Sequence, residues 1–93
     1  MAVVNLNLLN IFYLQTNKKS IEYEGKTVKE VLSKFIKENG QKLDSNLLTK
    51  NKKKLDKQIL ILLNGRNIKY LNNYKTKLND GDQLHLSVPL AGG

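Results

Sequence analysis

The apolar residues of this chain change period several times, and each change marks a candidate element. Near the start, Val4, Leu6 and Leu8 fall on one face, and Leu9, Ile11 and Tyr13 then continue on the other. A strand over 3–14, bulged or covered on both sides, would accommodate that switch. The polar run QTNKKS reads as a turn, and SIEYE alternates again through Ile21 and Tyr23, so the two runs form a hairpin. From Thr27 the period becomes helical, with Val28, Val31, Leu32, Phe35 and Ile36 making one apolar stripe. T-V-K-E at its start is a capping box, in which the Thr27 hydroxyl accepts from the Glu30 amide while Glu30 reaches back. Gly40 after Asn39 is the stop signal, which sets a helix over 28–39.

Beyond the helix the pattern weakens and then sharpens. Leu43, Leu47 and Leu48 predict a short second helical turn, and the lysines after them an exposed loop. QILILLN is a solid apolar run of strand length. N-G-R-N turns the chain, and Ile68 and Tyr70 make a short returning strand. N-D-G-D is a further turn before QLHLSV, the last strand. Paired strands with one interposed helix define an α+β fold with the helix on one sheet face. Four or five strands curled around one main helix is the ubiquitin-like β-grasp, a mixed sheet whose first and last strands run parallel at its centre. Both of those strands are among the longer apolar ones, as that position requires.

Length allows one domain. The chain has no cysteine, which rules out disulfides and thiolate chemistry and fits a reducing compartment. MAVVNLNLL lacks a basic leader, and no apolar run approaches the roughly 20 residues that span a bilayer. The expectation is a cytoplasmic protein with no membrane partner. The net charge of +8 raises nucleic acid as a partner. Fifteen of the sixteen basic residues are lysine, however, and only Arg66 offers the bidentate guanidinium fork, which argues against that partner. Lys52, Lys53 and Lys54 read as a solvated face. His85 is the sole histidine and cannot build a zinc site by itself, and Asp80 and Asp82 are turn formers around Gly81. No metal, bound cofactor or catalytic pair is expected.

The order of motifs is more specific than any one of them. G-K-T-V-K-E-V-L opens the helix, an apolar strand ends in N-G-R, K-L-N-D-G-D precedes the final strand, and the sequence closes on Gly92-Gly93. This set resembles the MoaD/ThiS sulfur-carrier family over nearly the whole chain. The K-L-x-D-G-D turn is shared most with the small subunit of molybdopterin synthase. Before the glycines, Ser87, Val88 and Pro89 stand where that family usually has an aromatic residue and often two prolines. The resemblance implies a carrier rather than an enzyme. Its Gly93 carboxylate would be activated with ATP by a ubiquitin-activating-type adenylating enzyme (MoeB/ThiF-like) and then converted to a thiocarboxylate. The sulfur would pass to a molybdopterin synthase large subunit (MoaE-like), or to the enzymes of thiazole synthesis or transfer-RNA thiolation. Two other readings stand beside it: a protein modifier joined to lysines through Gly93, and a basic nucleic-acid-binding β-grasp domain.

The tail suits such chemistry physically. With a folded domain expected over 1–88, residues 89–93 would form a flexible, extended arm spanning at most about 16–18 Å, enough to thread a covered cleft. Pro89 fixes its own φ and favours extension at Val88. Leu90 can anchor in an apolar pocket, Ala91 is small, and Gly92 and Gly93 let a nucleotide approach the backbone. Docking also needs an exposed apolar surface, for which Leu60, Leu62 and Leu86, with Arg66 nearby, are the candidates.

Overall fold

Strict alternation decides the first element. On β1 (Ala2–Leu8), Val4, Leu6 and Leu8 are buried while Val3, Asn5 and Asn7 lie on the opposite face. The structure, a computed structural model, describes residues 1–89. After β1 come α1 (Ile11–Thr16), β2 (Ser20–Gly25), α2 (Val28–Asn39), β3 (Leu60–Leu63), β4 (Arg66–Asn67) and β5 (Gln83–Ser87). The sheet order is β2-β1-β5-β3-β4, with β1 and β5 parallel and the other pairs antiparallel. This is the expected β-grasp, with the parallel pair inside the sheet.

The expected strand over 3–14 is wrong in its second half. Asn10 takes a φ of 52°, which breaks the strand, and the chain then coils into α1. The Thr16 hydroxyl donates to the Phe12 carbonyl at 2.7 Å. Asn17, left-handed at φ 59°, ends the helix by donating its N–H to the Tyr13 carbonyl at 2.8 Å. Residues 11–14 are apolar on every side, so alternation and helical period are indistinguishable there. β1 and β2 still pair in register from Ala2↔Gly25 to Asn7↔Ser20, but a helix rather than a tight turn joins them.

α2 has the expected bounds. Thr27 Oγ1 accepts from the Glu30 N–H at 3.3 Å, and the Glu30 carboxylate accepts from the Lys26 N–H, one residue earlier than in an ideal capping box. Gly40 is not a left-handed stop: at φ −57° it continues into a 3₁₀ turn over 40–42. A second 3₁₀ turn over 45–47 follows, and Leu43, Leu47 and Leu48 are all buried. Lys52, Lys53 and Lys54 are exposed, as expected.

The N-G turn has φ values of 51° at Asn64 and 87° at Gly65, both positive, as a two-residue hairpin loop requires. The returning strand is shorter than expected. Arg66–Asn67 alone pairs with β3, and residues 68–70 form a 3₁₀ turn capped by Asn67, whose side chain accepts from the Lys69 N–H. Ile68 is buried in that turn and Tyr70 is exposed. At the later turn Gly81 has φ 86°; Asp80 accepts from the Val3 N–H at 2.7 Å and Asp82 from the Asn79 N–H at 2.8 Å. Both aspartates are turn formers.

The core lies between the sheet and α2. Phe12 and Phe35 meet as a tilted pair with centroids 6.4 Å apart, surrounded by Leu6, Leu32, Leu84 and Leu86. Among the described residues, no helix is long and apolar enough to cross a membrane, and no group of His, Cys, Asp or Glu could hold a metal ion.

Candidate functional site at the exit of the last strand

β5 lies between β1 and β3, so its C-terminal end emerges from the middle of the sheet. Its last pairings are Leu8↔Leu86 on one side and Leu60↔Ser87 on the other. The Leu9 N–H donates to the Leu86 carbonyl at 3.0 Å and holds the end of β1 against β5. Val88 is half-buried against the core, and the exposed Pro89 has no N–H with which to extend the ladder. The chain therefore leaves the sheet at Val88–Pro89, where the sequence places the base of the arm. The tail positions Leu90, Ala91, Gly92 and Gly93 lie outside the described residues.

The surface beside this exit follows from register. Gln83, His85 and Ser87 of β5 point away from α2, opposite the buried Leu84 and Leu86. Leu60 and Leu62 of β3 sit directly across from Ser87 and His85 and share that outward face, half-buried. On β1, Asn7 donates its amide to Gln83 Oε1 and to the Leu84 carbonyl, both at 3.0 Å. Beside the exit the outward face is thus polar on β1, at Asn5 and Asn7, and on β5, and apolar on β3.

Of the other proposed docking residues, one is buried and one lies apart from the exit. Leu86 is 0% exposed and lies in the core, because it has the same parity as Leu84 on a strand whose other face turns outward. Arg66 is exposed but pairs with Leu63, which pairs with Leu84, three residues upstream of Ser87. It lies roughly 10 Å along the strand direction from the exit.

Pattern reading missed what α1 adds. Leu9, Tyr13 and Leu14 are 43%, 37% and 75% exposed, so three large apolar side chains border the end of β1. Leu9 and Tyr13 line a shallow cavity of about 410 Å³ with Asn7, Lys19 and His85. His85 Nδ1 is buried without a hydrogen-bond partner. The available signal was the pair of flanking asparagines, Asn10 and Asn17, residues that tolerate positive φ and bracket a single short helix.

The described residues thus leave the middle of the sheet at Val88–Pro89 beside a partly apolar surface. Comparison with known proteins agrees. The structure superposes on the small archaeal modifier protein 1 of Methanosarcina acetivorans with a TM-score of 0.86 and 26% identity, covering 100% of this chain and 98% of that one. It superposes on a chain of the Amycolatopsis orientalis BexX/CysO complex with a TM-score of 0.75 and 26% identity, covering 97% and 99%. A putative molybdopterin converting factor subunit 1 from Pyrococcus furiosus shares the fold, with a TM-score of 0.69 and 17% identity over 97% and 100% of the two chains. A sequence comparison with curated proteins finds no match. The ThiS family profile matches residues 8–93, from the end of β1 through the final glycine, and the chain belongs to the ThiS family of ubiquitin-like sulfur carriers.

Proposed function

We propose that the chain carries sulfur as a thiocarboxylate on Gly93. The observation that carries the reading is the family match running through Gly93, on a fold whose central strand directs the chain outward at Pro89. A carboxylate is a poor electrophile, so a partner adenylating enzyme must activate it. The Gly93 carboxylate oxygen attacks the α-phosphorus of ATP, and pyrophosphate leaves. Sulfide sulfur then attacks the acyl carbon, AMP departs with the C–O bond electrons, and a thiocarboxylate remains. This chain contributes no acid, base or metal to those steps; it is a cosubstrate.

Leu60 and Leu62, with Leu9 and Tyr13 on the far side of His85 and Ser87, form the surface on which the adenylating enzyme docks while the tail enters its cleft. The K-L-N-D-G-D turn favours a molybdopterin synthase large subunit as sulfur acceptor. A second reading, conjugation to lysines through Gly93, draws support from the likeness to a small archaeal modifier protein.

Reconstitution tests the proposal. The purified chain, a ThiF/MoeB-type adenylating enzyme, ATP and sulfide are combined, and intact mass is recorded. The expected result is a gain equal to one sulfur-for-oxygen exchange, lost on deleting Gly93 and strongly slowed by Leu62→Asp. An unchanged mass with an enzyme that accepts other members of the family contradicts it.

A further inference from the structure

The opposite side of the molecule carries a feature that the carrier chemistry does not use. Between α2 and the loop over 51–54 lies a cavity of about 420 Å³. Leu32 and Ile36 contribute its apolar lining, and Lys29 and Lys37 of α2 with Lys52, Lys53 and Lys54 of the loop surround it. Among the described residues no carboxylate lines it. Ile36 and Lys52 also border a second hollow that continues to Gly40 and Gln41. Together the two make a groove along α2 from Lys29 to Gly40, about 16 Å at the helical rise. That length matches roughly five residues of extended chain.

We infer that this groove binds an extended acidic peptide segment of a partner protein, with alternate apolar side chains on the Leu32–Ile36 floor and carboxylates on the lysine rim. Charge complementarity selects an anion, since five lysines and, among the described residues, no acidic side chain line the cavity. The apolar floor selects a peptide over a phosphate backbone, which has no apolar groups to place there. Nucleic acid is disfavoured further by the only aromatic side chain in the groove. Lys54 Nζ lies 5.5 Å from the centroid of the Tyr74 ring and covers a face that a base would need for stacking. An extended segment alternates its side chains with a period of two, so one strand presents carboxylates upward and leucines downward at once.

The probe is a fluorescein-labelled peptide of three Asp-Leu repeats, followed by anisotropy at fixed, moderate salt, with amide chemical shifts mapping the site. The full chain should bind it with shifts concentrated on Lys29, Ser33, Lys37 and residues 51–54. The triple variant Lys52→Glu, Lys53→Glu, Lys54→Glu should weaken binding at least tenfold while its remaining amide spectrum stays native. Replacing the leucines of the probe by serine should also weaken it about tenfold. Deleting Gly92 and Gly93 should leave binding unchanged, which separates this site from the carrier chemistry. Equal affinity for the serine peptide would reduce the groove to unspecific charge attraction and overturn the inference. So would unchanged binding by the triple variant, or tighter binding of an oligothymidine at the same salt.

Discussion

Truncating Leu86 and Leu62 separately tests which sheet face is the core and which is free to dock. The two residues sit on neighbouring strands, β5 and β3, with opposite parity. Leu86 is 0% exposed, and its register partners Leu8 and Ile61 are also buried. Leu86→Ala removes a fully enclosed side chain and leaves a cavity that the sheet and α2 close only partly. The expected loss is about 3–4 kcal/mol, within the usual range for buried leucines. A domain of this size has roughly 5–14 kcal/mol of stability in all, so the variant remains folded at 25 °C but melts roughly 12–30 °C lower. Leu62 faces outward beside His85 and Asn67, half-buried, and water fills the space it vacates. Leu62→Ala should therefore cost only about 1 kcal/mol. Urea unfolding followed by far-ultraviolet circular dichroism gives both values. Losses within about 0.5 kcal/mol of each other, or a larger loss for Leu62→Ala, would refute the assignment of faces and with it the docking surface.

Other elements give independent checks. A Cβ placed on Gly25 would lie 2.9 Å from Val31 Cγ2 and 3.2 Å from Glu30 Cβ, so Gly25→Ala should cost about 1–3 kcal/mol by crowding β2 against α2. Combining it with Val31→Ala, which vacates that space, should give less than the sum of the two losses in a double-mutant cycle. Thr27→Ala should cost about 1 kcal/mol through the lost cap, and Thr27→Ser should restore most of it in the same unfolding assay. Burial, and then its hydrogen bond to Glu38 at 2.8 Å, hold the Tyr23 hydroxyl well above the ordinary tyrosine value of 10.0. Because the folded value is the higher one, this contribution is fully present below about pH 10 and shrinks as the pH rises above it. The stability difference between the wild type and Tyr23→Phe should thus be flat to about pH 10, then fall by at most about 1.4 kcal/mol per pH unit. A difference that stays constant to about pH 11 would contradict that burial.

Residues bound to a single period were legible, and those that fit two periods were not. Val4, Leu6 and Leu8, the α2 stripe, and the Asn64-Gly65 and Asp80-Gly81 turns each admit one local solution, and together they define the sheet order. Residues 9–14 are apolar at nearly every position, so only tertiary context decides that they coil over the end of β1. The same ambiguity misplaced Leu86. A short strand read without its neighbours does not say which parity faces the helix, and only pairing with Leu8 and Ile61 resolves it. Ile68 looked like a strand residue because it alternates with Tyr70 after the N-G turn, but it is buried from within a 3₁₀ turn. Of the candidate site, the end of the last strand before Pro89 was legible, but which of Leu60, Leu62 and Leu86 face outward was not, because β3 is apolar at every position. The contribution of Leu9, Tyr13 and Leu14 was not, because it depends on a helix that composition concealed. The exposure of the lysine loop was legible, but its place beside α2 was not, since nothing in its composition shows it.

Sulfur transfer on Gly93 is tested most directly on the protein as its own cells make it. Trypsin cleaves after Lys77, the last basic residue, and releases a single peptide comprising residues 78–93. Its mass, measured after purification under conditions that preserve thiocarboxylates, should show a population with sulfur in place of one oxygen, with fragment ions placing the exchange on Gly93. A peptide found only with an unmodified carboxylate, from cells actively making sulfur-containing cofactors, would contradict the carrier assignment.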